Sequence, residues 1–144
     1  MSIKDQPVPM RTMQAASLPF LLHAVIETAA GISFIFFPHR QLPGCSADAK
    51  LIMRQYGALL LVSSVISLAV VASPSCDDAT KPLAISLGFY HAWPCYRALA
   101  RIRTANPDRS QSTFLGGPGV HLVVHTTLVA LFIFSLFYES RDSV

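Results

Sequence analysis

The chain predicts an all-α, integral membrane four-helix bundle, and three observations carry that expectation. Of its 144 residues, 52% are apolar or aromatic and only 13% are charged, about half the charged share of an ordinary soluble domain. Four apolar runs come close to the roughly 20 residues needed to cross a hydrocarbon core, and the segments joining them are polar and marked by proline and glycine. The same composition excludes a disordered chain. A net charge of only +3 leaves no basic surface for nucleic acid, which is not expected as a partner. The length suits a single transmembrane domain over residues 1–144.

The first run, 17–37 (SLPFLLHAVIETAAGISFIFF), begins late, has the length of a span and lacks a small-residue cleavage pattern, so it reads as a retained helix rather than a secretory signal. The second, 51–71, is the cleanest, with Arg54 near one end. The third, 83–102, is weaker because it carries Tyr90, His91, Pro94, Tyr96, Arg97 and Arg101. The fourth, 119–138, contains His121 and His125. None alternates like a barrel strand, and backbone groups in lipid must be satisfied within the segment, so helices are expected. Cys45, Cys76 and Cys95 form no C-x-x-C pair, and neither a disulfide framework nor a zinc ribbon follows.

An even number of spans puts both termini and the 73–81 loop on one side, with Lys4, Arg11, Lys81 and Arg141. Arg40, Lys50, Arg101, Arg103 and Arg109 lie on the other, with Arg54 and Arg97 just inside. The positive-inside rule then favours cytosolic first and third loops and termini facing the lumen or exterior.

Ionisable residues inside a span are costly and are candidates for function by default. At about 1.5 Å rise per residue, Glu27 lies roughly 15 Å from either end of its span, His91 about 12 Å from Leu83 and His125 about 10 Å from Pro118. Antiparallel helices bring all three near the midplane or into the half beside the first and third loops. Arg54, Tyr56 and His121 enter the same half from its edge. His23 and Glu27, and likewise His121 and His125, are four apart and share a helix face. A carboxyl facing an imidazole in low dielectric is equipped to share or move a proton. Pro94 removes the hydrogen bond to the Tyr90 carbonyl and tends to bend the helix beside Tyr90 and His91.

The string Leu22-His23-Ala24-Val25-Ile26-Glu27 is similar to the H-x-V-I-E type signature of the emopamil-binding protein family. Its sterol isomerase members are helical membrane proteins that use a His and a Glu to protonate one alkene carbon and remove a proton elsewhere. The resemblance implies that role for His23 and Glu27 only; where a further acidic residue of the family is expected, this chain has His91-Ala92-Trp93-Pro94. Over a longer stretch, G-x-x-F-x-F-F-P (Gly31 to Pro38), R-Q-Y-G, G-F-Y-H-A-W-P and G-P-G-V-H-L-V-V-H resemble small four-span fungal membrane proteins of uncharacterised function. That resemblance implies topology and, by analogy, natural-product biosynthesis.

The leading expectation is a membrane-embedded isomerase or cyclase acting by acid–base proton transfer on a lipophilic terpenoid or polyketide, without a cofactor, in the endoplasmic reticulum. Glu27, His23, His91 and His125 are its candidate acid–base residues. Tyr56, Tyr90, Trp93, Arg54 and His121 are candidate substrate contacts, the tyrosines orienting an oxygen or facing a developing cation and Arg54 meeting a carboxylate or enolate. Expected partners are the lipophilic substrate and membrane lipid, with a homodimer left open. The alternative is a noncatalytic lipid-binding or scaffold protein, for which Ala29-Ala30-Gly31 and Ser63, Ser64 and Ser67 offer small-residue faces. A third reading gives His121, His125, His91 and Glu27 to zinc or iron, or two opposed histidines to haem.

Overall fold

The computed structural model describes residues 15–73, 79–104 and 117–139. Among them there is no strand, and nearly all are helical. A 3-10 turn, Ala15–Ser17, leads into α1 (Leu18–Phe36), which has Pro19 in its first turn, where its missing N–H is not needed. Pro38 ends α1 by forcing Phe37 out of helical geometry, and the Phe37 N–H closes the last turn on the Ser33 carbonyl at 2.8 Å. The short α2 (Pro38–Gln41) and a turn at Gly44, whose φ of 74° suits glycine, reverse the chain.

Ser46 then caps α3 (Ala47–Ala72), its hydroxyl accepting from the Ala49 N–H at 3.2 Å, with Asp48 in the first turn. This cap explains why α3 begins four residues before the apolar run at Leu51. After the 74–78 segment, α4 (Thr80–Thr104) runs through Pro94 without ending. The last helix, α5 (Gly117–Glu139), starts at Gly117, whose φ is 75°, with Pro118 next.

Three of these helices, α1, α3 and α5, are long and apolar enough to cross a membrane. The third apolar run does form its helix, α4, but polar side chains from Tyr90 to Arg103 keep it outside that class. Among the described residues there are thus four long helices, of which three are candidate membrane spans by length and composition. Lys4, Arg11, Cys76, Arg109 and Arg141 lie outside the described residues.

The closest packing joins α1 to α3 and α4 to α5, so two helical hairpins make up the bundle. Gly31 and Gly57 mark where α1 crosses α3: a Cβ on either would come within 2.8 Å of the other's carbonyl oxygen. Between the hairpins an apolar core of Phe20, Ala84, Leu87 and Phe132, flanked by Val70, Val71, Leu83 and Leu136, fills the end where α3 finishes and α4 begins. Phe20 and Phe132 meet edge to face, centroids 5.2 Å apart. The polar cluster lies directly above this plug.

Candidate active site

α1 contributes His23 and Glu27, one turn apart on its inward face; α4 contributes Tyr90 and His91, α5 His125 and His121, and α3 Tyr56 and Ser63. His23 and His91 are 0% exposed and Glu27 is 2% exposed. Phe132 stacks on His91, with centroids 5.9 Å apart and planes 19° from parallel, so the aromatic plug forms the floor of the cluster.

The three central imidazoles form a chain. His23 Nδ1 and His91 Nε2 are 2.9 Å apart, His91 Nδ1 and His125 Nδ1 2.8 Å apart, and His23 Nε2 lies 3.1 Å from Ser63 Oγ. Ser63 donates its one proton to the Leu60 carbonyl at 2.8 Å, so for uncharged rings the remaining roles follow in sequence. His23 Nε2–H donates to Ser63, His91 Nε2–H donates to His23, and His125 Nδ1–H donates to His91. Reversing the serine reverses every member. The chain thus has two self-consistent settings that differ by the proton on each ring.

Glu27 joins this imidazole branch to a phenol branch. Its Oε1 lies 3.9 Å from His91 Nδ1, beyond hydrogen-bond reach, and is buried without a hydrogen-bond partner among the described residues. Its Oε2 accepts from the Tyr90 hydroxyl at 3.4 Å, and Tyr90 and Tyr56 share a hydrogen bond of 2.9 Å across the α3/α4 seam. Tyr90 is half-buried and Tyr56 is exposed, so this branch leads from the buried carboxyl to the outer surface. His121 stacks on His125 with centroids 5.9 Å apart and is half-exposed at the other margin.

Glu27, His23, His91, His125, Tyr56, Tyr90 and His121 are therefore brought together. Arg54 and Trp93 are not. Arg54 is exposed on α3, and no side-chain contact links it to the cluster among the described residues. Trp93 is exposed and packs against Tyr96, centroids 5.6 Å apart. The sequence groups Ser63 with small-residue packing faces, whereas in the structure it anchors one end of the imidazole chain. A hydroxyl midway along an apolar span was the available signal. Phe20 and Phe132 were also missed, because nothing distinguishes them from the other aromatic residues of their spans.

The donor set of His23, Glu27 and His91, with ligating atoms all within 4.8 Å of one another, is also compact enough to converge on a metal ion. Comparison of the chain with family models, curated proteins and solved structures gives no match.

Proposed function

We propose that this protein is a four-span membrane enzyme that isomerises or cyclises a lipophilic terpenoid or polyketide by proton transfer, with Glu27 as the acid–base group. The observation that carries this reading is the buried carboxyl of Glu27, one oxygen of which lacks a hydrogen-bond partner among the described residues while imidazoles and a phenol surround it. Such an oxygen is costly to bury, and a catalytic role accounts for it. One proton passes from Glu27 to an alkene carbon, and the resulting cation is discharged by loss of a proton elsewhere on the substrate. The imidazole chain takes up that proton, and its return to the carboxylate requires His91 Nδ1 to leave His125 and close the 3.9 Å gap to Glu27 Oε1. Substrate and product then have the same composition, and no cofactor is consumed.

Membrane placement of α4 is part of the reading. Its outward residues from Ile85 to Tyr96 are dominated by Ile85, Phe89, Trp93 and Tyr96, with Phe89 81% exposed, whereas His91 faces inward. Average composition understates a helix whose polar groups are turned away from lipid. The endoplasmic reticulum is proposed on the sequence resemblance to the sterol isomerase family.

Of the small residues that the scaffold reading names, Gly31 is buried against Gly57, Ser64 and Ser67 are buried within the chain and Ser63 bonds His23, whereas Ala29 is exposed and Ala30 half-exposed. A metal reading is favoured by one specific observation, the convergence of His23, Glu27 and His91, a donor set in which His23 stands in place of the His121 and His125 expected from the sequence.

The test is complementation of a deletion strain. Glu27→Gln keeps the size of the side chain but not its proton chemistry. It should reach normal protein levels yet accumulate the same lipophile as the deletion, of the same mass as the missing product. Full product formation by Glu27→Gln would overturn the acid–base reading. One equivalent of zinc or iron in purified protein, lost on His91→Ala, would favour the metal.

A further inference from the structure

The phenol branch has a direction. Tyr90 uses its single proton toward Glu27 Oε2, so in their 2.9 Å contact Tyr56 donates and Tyr90 accepts. Tyr56 is then left with oxygen lone pairs and no proton for any group arriving from outside. Phe34 holds its ring, with centroids 5.6 Å apart. Among the described residues α3 and α4 have little close backbone packing; their side chains share the apolar core at one end, and the two tyrosines bridge them at the level of Glu27. Arg97, seven residues beyond Tyr90 on the same face of α4, is near enough to act electrostatically on Tyr56. A hydrogen-bond acceptor selects a ligand that brings a hydroxyl; an ionised Glu27 opposes negative charge at Tyr56 more strongly than Arg97 favours it, so the ligand becomes an oxyanion only as Glu27 takes up a proton.

Resting on the acid–base reading of Glu27, we infer that the Tyr56–Tyr90 seam is the docking subsite for an acidic hydroxyl, and that the substrate is a lipophilic phenol or enol that also carries an alkene. The hydroxyl proton moves to Tyr56, that of Tyr56 to Tyr90 and that of Tyr90 to Glu27, leaving the substrate oxygen negative and Glu27 neutral. Glu27 then gives its proton to the alkene carbon, and the oxyanion bonds to the cation so formed. One O–H bond and one alkene π bond are exchanged for one C–H and one C–O bond. Nothing is oxidised or lost, and both phenols and the carboxylate return to their starting states. The reaction is ring closure through oxygen.

Binding tests this without knowledge of the natural substrate. Purified protein in nanodiscs is titrated with 4-dodecylphenol and with its methyl ether, empty nanodiscs correcting for partition into lipid. The phenol should bind roughly five- to tenfold more tightly, the equivalent of one net hydrogen bond. Tyr56→Phe keeps the ring on Phe34 and should erase the preference while leaving ether binding unchanged. Equal binding of phenol and ether by the unaltered protein overturns the inference, as does a preference that survives Tyr56→Phe. The unaltered-protein comparison stands even if the variant fails to fold. If Glu27→Gln abolishes product formation while phenol and ether bind alike, the subsite is wrong and the acid–base reading survives.

Discussion

Glu27 lies between the imidazole and phenol branches, 3.9 Å from His91 Nδ1 and 3.4 Å from the Tyr90 hydroxyl, and these neighbours decide what it can do. His91 uses both ring nitrogens, one on His23 at 2.9 Å and one on His125 at 2.8 Å, so its loss strands two buried polar groups. His91→Phe is expected to lower stability by about 2 to 6 kcal/mol, at 1 to 3 kcal/mol for each of the two unmade partners, measured by thermal unfolding in detergent. An unchanged midpoint would mean that the chain is not held as described. The tautomers are also open to test: nitrogen NMR should find His23 protonated on Nε2 and His125 on Nδ1. Ser63→Ala removes the anchor and should populate both settings of the chain. Of the site, His23, Glu27, His91 and His125 were legible in the sequence because ionisable groups in apolar spans are conspicuous and helix rise sets their depth. Their pairwise partners were not, since depth says nothing about rotation around each helix axis.

At the scale of helices, local signals placed the boundaries well: Pro38 after α1, Ser46 before α3, Gly117 and Pro118 at the start of α5. Partner choice depended on shape. Gly31 and Gly57 allow the backbones of α1 and α3 to touch, where an added Cβ would lie 2.8 Å from a carbonyl oxygen. Gly31→Ala and Gly57→Ala should each destabilise the protein by about 1 to 3 kcal/mol through overpacking. Gly119→Ala, where nothing lies within 4 Å of the new Cβ, should be neutral or slightly stabilising. Equal unfolding midpoints for all three variants would contradict the crossing. In sequence these glycines look alike, because close approach is a property of two segments far apart in the chain.

For the whole molecule, the proposed four-span topology turns on α4, because α1, α3 and α5 are already long and apolar enough to cross a membrane. Cysteines placed at its two ends, Ala79→Cys and Thr104→Cys, should react with an impermeant maleimide from opposite faces of sealed vesicles, with the native Cys45 on the same side as position 104. Reaction of positions 79 and 104 from one face would remove α4 from the membrane. The sequence alone determined the helical class, four long helices and the layer holding the ionisable groups, because length, hydropathy and rise per residue are local quantities. Tertiary structure decided which side chains touch: that Glu27 faces His91 and Tyr90 rather than Arg54, that Trp93 points outward, and that Ser63 ends the imidazole chain. Those outcomes depend on how two hairpins rotate and dock, and rotation is fixed by packing between residues dozens of positions apart, such as Gly31 on Gly57 and Phe20 on Phe132.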